Sequence, residues 1–208
     1  MRDDETGSWW QQISGKAIQG AQKGQQLESV PMDELSFAVW KRENPSGRVL
    51  RPDGNPEHIE SAEWESQVGR MRVTTSARQD DSLSPREVVV GIVVDKQAEA
   101  YPLSMVEKQS PILDIIGERN IVIVLADDGE SVRAFDRGVD GQVLEFFVKP
   151  DTKEIVDAET GSTWDFTGTA VSGDLAGKQL KEIPVIKDYW FDWKTYHPDT
   201  QLYKVGAR

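Results

Sequence analysis

Apolar residues in this chain come in short runs, separated by Gly, Pro, Asn and Asp. The strongest run, Val88-Val89-Val90-Gly91-Ile92-Val93-Val94, is bounded by a turn at Asp95-Lys96-Gln97 and answered by Ala98 to Leu103, which predicts a β-hairpin ending at Pro102. Ile112 to Ile116 predicts another strand, and the near-continuous apolar run Asn120 to Leu125 predicts a central strand buried on both faces. Asp127-Asp128-Gly129 turns that strand into Ser131 to Asp136, and Gly138 to Gly141 leads into Val143 to Val148. Helical spacing is rarer. Phe37 and Trp40, three residues apart, predict one face of a short helix that starts at Pro31 and stops before Asn44-Pro45. Tyr189 to Lys194 predicts a second, ending at His197-Pro198, and Ile59 to Met71 a third with a thin apolar stripe. Residues 44 to 58 and Arg78 to Pro85 read as polar connections. The expected fold class is α+β, β-rich with short helices.

A second pattern overlies the first. Glu159-Thr160-Gly161-Ser162-Thr163-Trp164, followed by Gly168, Gly173, Gly177, Leu180, Pro184, Trp193 and Pro198, repeats Glu5-Thr6-Gly7-Ser8-Trp9-Trp10, Gly15, Gly20, Gly24, Leu27, Pro31, Trp40 and Pro45. One residue is deleted from the later copy between Trp164 and Gly168. Self-similarity over this range is a statement about architecture and ancestry. It divides the chain into an N-terminal half-repeat (1–45), a connection (46–87) and a complete β-rich domain (88–208). Met1 corresponds to a position near Ile155, so the chain is expected to begin inside a repeat unit, either because the first half was lost or because the start is internal to a longer precursor. The half-repeat has no strand set of its own like Val88 to Val148 and must borrow a surface. The complete domain of the same chain is the expected source, with Trp40 and Trp193 as matched core anchors in equivalent environments; a second copy, giving a homodimer, and an upstream segment are the alternatives.

Composition narrows the function classes. The 208 residues carry a formal net charge of −12, and no basic run appears, so a nucleic-acid partner is not expected. There is no Cys and His occurs only at 58 and 197, too few soft or borderline ligands for a zinc or copper centre, so no metal and no cofactor are expected. No stretch approaches the roughly 20 apolar residues of a membrane helix, and Met1-Arg2-Asp3-Asp4-Glu5 has no apolar segment behind it of the kind a secretion signal needs.

The ordered set Val89-Val90-Gly91, Ala100-Tyr101-Pro102-Leu103, Asp114, Gly117, Phe135-Asp136-Arg137, Glu159 to Ser162 with Trp164, Gly173 to Gly177, and Trp193 to His197-Pro198-Asp199-Thr200 resembles the prokaryotic domain of unknown function 3179 family. The resemblance covers Val88 to the end, and residues 4 to 45 resemble the last part of a second copy. It implies no activity. It does suggest an exported protein, against which stands the plain N-terminus, so localisation is left open. Relatives of this kind carry a histidine after the Tyr-Pro-Leu segment and a Cys-Pro-Leu-Cys motif after the next apolar strand. Here Gln109 and Leu125-Ala126-Asp127-Asp128-Gly129 stand in those places, and neither Gln nor Ala replaces imidazole or thiolate.

Candidate chemistry is sparse. Glu5 and Glu159 open the two copies and could pair as acid and base in glycoside hydrolysis, although a carboxylate beside Thr-Gly-Ser more often accepts from turn amides. His197, before Pro198 at a helix end, is a capping or packing residue first and a catalytic candidate second. His58 reads as a solvated loop residue. Asp127-Asp128-Gly129 lacks the spacing of a calcium loop and reads as a turn. Six tryptophans, Trp9, Trp10, Trp40, Trp164, Trp190 and Trp193, lie inside the copies, where apolar burial is their first role and ligand stacking the second. Trp9 and Trp190 have no tryptophan at the matched position and are therefore the candidates for exposed ligand contacts. The leading function is a non-enzymatic binding or assembly module for a small-molecule, glycan or protein ligand. A hydrolase acting on a carbohydrate-like ligand through paired carboxylates is the alternative.

Overall fold

A computed structural model describes residues 1–12, 14–28, 30, 32–51, 64–73 and 81–204. The chain divides into two compact units, Met1–Met32 and Asp33–Arg208. The protein is β-rich with short helices, as the hydrophobic pattern predicts.

The first unit contains β1 (Trp9–Trp10) and β2 (Ala17–Gln19), paired antiparallel across a bulge between Trp9 and Trp10. Its opening turn is held by one carboxylate. Asp3 accepts from the Thr6 backbone and hydroxyl and from Trp10 Nε1 at 2.7 Å, while the Ser8 hydroxyl meets Thr6 Oγ1 and accepts from the Gln22 amide. The second copy repeats this bond for bond. Asp157 accepts from the Thr160 backbone and hydroxyl and from Trp164 Nε1 at 2.9 Å, and the Ser162 hydroxyl meets Thr160 Oγ1 and accepts from the Leu175 amide. The bulge recurs between Thr163 and Trp164. The deleted residue is visible as well: Gly15 donates four residues back to Gln11, whereas Gly168 donates three back to Asp165. Gly20 and Gly173 sit at φ +100° and +91°, where a Cβ would lie 2.7 and 2.6 Å from the Cα of Ser8 and Ser162. Glycine is required at both positions by backbone conformation and by contact.

The second unit stacks three sheets and a helix. Strands β3 (Val88–Val94) and β4 (Gln97–Pro102) form the predicted hairpin, tightened to a two-residue turn in which Asp95 and Lys96 both take positive φ. Helix α3 (Leu103–Gln109) continues directly from β4 and plugs Val106 into the core; no strand or helix was expected there beyond the Tyr-Pro-Leu segment. Strands β5 (Ile112–Ile116), β6 (Arg119–Leu125) and β7 (Val132–Asp136) follow as an antiparallel meander. The predicted Val143–Val148 strand is instead split. β8 (Gly138–Val139) and β9 (Gln142–Val143) make a small hairpin, and β10 (Phe146–Val148) pairs with β11 (Ile155–Asp157). β11 then pairs with β12 (Thr163–Trp164), and β12 with β13 (Ala170–Ser172). The chain returns through β14 (Lys181–Ile183), which pairs with β7, and β15 (Val185–Tyr189), which pairs with β3. It ends with helix α4 (Trp190–Tyr196) and β16 (Gln201–Leu202), the latter parallel to β4.

Alternation along each strand explains the layering. On β6, Ile121 and Ile123 enter a core shared with Val90, Ile92, Tyr101 and Val106, while Val122 and Val124 enter a second core with Phe135, Phe146 and Trp164. The uninterrupted apolar run of β6 is thus the signature of a strand covered on both faces. A third cluster lies on the outer face of β3 and β4, where Trp190 and Trp193 of α4 cover Val89 and Ala100. Trp193 crosses Gly91 so closely that a Cβ there would stand 2.2 Å from the ring, and Trp193 Nε1 donates to Thr200 Oγ1 at 3.0 Å.

The first-copy helix departs from its counterpart. Helix α1 (Phe37–Glu43) is shorter than the run that predicts it, and helix α2 (Trp64–Arg70) lies within the predicted Ile59 to Met71; Pro31, His58 and Ile59 to Glu63 lie outside the described residues. The Ser36 hydroxyl accepts from the Val39 amide and fixes where α1 starts. α1 belongs to the second unit, and its buried residue is Val39. Trp40 is half-buried and Phe37 is 64% exposed, so the expectation that Trp40 matches Trp193 as a core anchor is corrected: α1 turns Val39 inward and its aromatic face outward. Trp193 is the anchor expected of it, at 1% exposure.

Because the Trp193 ring has no free side to retreat to, Gly91→Ala is expected to destabilise the chain by about 2 to 3 kcal/mol, the range of core overpacking. Urea titration followed by circular dichroism measures it, and an unchanged midpoint would mean that the ring moves aside freely.

Candidate functional site

The second unit has a pocket of about 530 Å³ lined by Asp33, Leu35, Phe37, Trp40, Glu43, Asn44 and Arg133. Its floor is an ion cluster. Arg133, in β7, is buried, with its side chain 8% exposed; Nε and Nη2 donate to Asp33 at 3.1 and 2.5 Å, and Nη1 and Nη2 to Glu43 at 2.7 and 2.9 Å. The guanidinium lies 4.7 Å above the Phe166 ring. Burial works against its charge, but the hydrogen bonds it donates to Glu43 and Asp33 outweigh that and hold the proton more firmly than usual. Burial would likewise raise Asp33, yet Arg133 and a hydrogen bond shared with Glu182 keep it below the ordinary carboxylate range. Glu182 is raised, by desolvation first and then by Asp33. One wall is aromatic: Phe37 and Trp40 stack with centroids 5.7 Å apart at 26°. α1 is fastened further by Arg42 on Asp127 at 2.8 and 2.9 Å, by the Ser36 amide on Ser131 Oγ, and by Lys187 on Glu34 at 2.9 Å.

A second cleft of about 400 Å³ lies around the end of α4, lined among others by Lys96, His197, Asp199 and Thr200. His197 holds the C-cap position and stacks on Trp193 with centroids 4.0 Å apart. Burial lowers its pKa, which favours the neutral imidazole.

The other residues singled out in the sequence are dispersed. Glu159 Oε2 accepts from the Glu145 amide at 2.9 Å, 14 residues away, while the amide of its own turn, that of Thr160, goes to Asp157; Glu5 is an exposed residue of the first unit. Trp9 is 49% exposed on β1. Trp190 is 2% exposed, so its expected exposure is corrected: the matched Phe37 stands outside on α1, whereas Trp190 lies under α4 against Val89 and Ala100, with Lys194 Nζ 5.5 Å from its ring. Asp128 accepts from the Glu130 and Ser131 amides and the Ser131 hydroxyl, which makes Asp127-Asp128-Gly129 a turn. Among the described residues no three of His, Asp and Glu gather in a way that could hold a metal ion. No helix among them is long and apolar enough to cross a membrane.

A family model described as a protein of unknown function, DUF3179, matches residues 1–200. The chain belongs to this family. No curated protein and no solved structure matches it. The match takes in both copies of the repeat. The DUF3179 positions at which the resemblance led us to look for a histidine and cysteines are neighbours here: Tyr203 Oη donates to Gln109 Oε1 at 3.1 Å, and the next residue, Ser110, accepts from the Leu125 amide at 2.8 Å. Neutral hydrogen bonds fill the place.

The pocket residues Asp33, Glu43 and Arg133 were not anticipated as a site. The nearest sequence signal was Phe37 and Trp40 at helical spacing, four residues after Asp33 and three before Glu43.

In β15, burial pushes Asp188 up to about 6, with the charges of Asp192 and Glu34 adding to the effect against the opposing Tyr189 amide. The folded chain therefore binds a proton there that the unfolded chain releases near pH 4, so stability contributed by the protonated form is present below about pH 4 and lost as pH rises to about 6. Asp188→Asn keeps an acceptor for the Tyr189 amide and is expected to stabilise the protein by about 1 to 2 kcal/mol at pH 7.5 and to change nothing at pH 4. Urea midpoints at the two pH values decide it; equal gains at both would show that Asp188 titrates normally.

Proposed function

We propose that this DUF3179 protein is a non-enzymatic binding module whose ligand enters the pocket beside α1. One observation carries the reading: a stacked aromatic pair, Phe37 and Trp40, faces outward on a helix that is fixed from below by a buried ion cluster. An outward aromatic face of this kind contributes nothing to the core, and the geometry beneath it is rigid, which is the combination a recognition surface needs. The helix and Asp33 come from the first copy of the repeat and Arg133 from the complete domain, so the site depends on both. No finding supports the hydrolase alternative; Glu159 accepts from the Glu145 backbone amide, and Asp33 and Glu43 are both ion-paired to Arg133.

The test is a panel of small saccharides, amines and aromatic acids, followed through the indole N–H resonance of Trp40, assigned with Trp40→Phe. At least one class is expected to shift that resonance saturably, and Phe37→Ala to weaken it. Shifts confined to other tryptophans would place the binding surface elsewhere.

A further inference from the structure

We infer that the α1 pocket selects a protonated amine: a small organic cation that carries N–H donors on an apolar skeleton. The inference rests on the binding reading above and specifies its ligand. It follows from what the lining has left to offer. Arg133, the cation of the pocket, already directs Nε, Nη1 and Nη2 at Asp33 and Glu43, and Asn44 Nδ2 donates to the Trp40 carbonyl at 3.1 Å. Four of the five Arg133 N–H groups and one of the two Asn44 amide hydrogens are therefore committed. Each carboxylate oxygen has more than one lone pair, so Asp33 and Glu43 retain acceptor capacity after Arg133 is served. Their side chains are 28% and 20% exposed, so both remain within reach of solvent rather than sealed in the interior. An acceptor-rich lining meets a ligand carboxylate or phosphate with like charge and few free donors.

Charge points the same way. Asp33 and Glu43 carry two negative charges against one on Arg133, before Glu182 is considered, and the chain as a whole has a formal net charge of −12. The field at the mouth draws cations in and repels anions. The aromatic wall completes the match, because the faces of Phe37 and Trp40 attract a cation and also cover its methylene groups. A neutral sugar would satisfy the acceptors and the ring face but would gain nothing from the charge. A quaternary ammonium would gain from rings and charge but has no N–H to give the carboxylates.

The experiment titrates the full chain at pH 7.5 with 1,4-diaminobutane, tetramethylammonium, methyl glucoside and a short lysine-containing peptide, reading the Trp40 indole resonance and calorimetric heat. Diaminobutane is expected to bind at least about fivefold more tightly than tetramethylammonium or the glucoside, and to weaken severalfold between 50 and 300 mM salt. Phe37→Ala, an exposed position whose variant is checked for an unchanged melting curve, is expected to weaken it by about fivefold. Binding of the peptide at equal strength would assign the amine to a protein side chain, and its failure would assign it to a free amine; either supports the inference. Glucoside binding equal to or tighter than diaminobutane would overturn the amine while leaving a binding module in place. Equal binding of tetramethylammonium would overturn the need for N–H donors. If no ligand moves Trp40, both the inference and the binding reading fall.

Discussion

Everything in the larger unit hangs on a strand that is apolar on both sides. β6 gives Ile121 and Ile123 to one core and Val122 and Val124 to another, and a strand of that composition is stable only if both faces are covered. One face requires the β3–β4 hairpin and β15; the other requires β10 to β13. The later repeat supplies members of both covers, since β12 and β13 lie in one and β15 and α4 in or on the other. That is why the copy containing Trp164 and Trp193 cannot be a detachable appendage of the second unit. It closes the stack at two levels.

The same layering sets the terms for the pocket. β7 is the next strand of the central sheet, and it places Arg133 against Phe166 on one side and Asp33 and Glu43 on the other. A guanidinium this far from water has to be met by carboxylates, because a buried unpaired charge would cost several kcal/mol. Asp33 and Glu43 lie at either end of the α1 segment, so neutralising Arg133 also fixes α1 at both ends. With the ends held and Val39 turned inward, Phe37 and Trp40 have nowhere to go but outward. The exposed aromatic pair is a geometric consequence of where the positive charge sits.

Much of this was legible in the sequence, and the failures have physical causes. Short apolar runs bounded by turn residues located β3 to β7, and the glycine register located the repeated turn to the residue, including the deletion, because a positive φ packed against a serine admits no substitute. The fate of each tryptophan was not legible. Trp40 and Trp193 occupy matched positions, but the partner surface differs: Trp193 meets Gly91, and the surface near α1 offers charges. Trp190 has no tryptophan as its match and yet is buried, because burial depends on which face a helix turns to its sheet and not on whether a residue recurs. The pocket was missed for a related reason. Its carboxylates are separated by ten residues and its arginine by ninety more, and no local spacing joins them.

The duplicated turn carries a further implication. In both copies the carboxylate, two hydroxyls and an indole N–H satisfy one another, so the motif brings its own hydrogen-bond partners wherever it goes. In one copy its tryptophan is sealed at 3% exposure, and in the other the indole is half-buried, yet the bonding is the same. A piece of structure with no polar debts to its neighbours can be copied and set into new surroundings without those neighbours having to change first. Such self-sufficiency makes it suitable raw material for duplication, and leaves the surrounding side chains free to diverge into a sealed core in one place and a half-exposed surface in another.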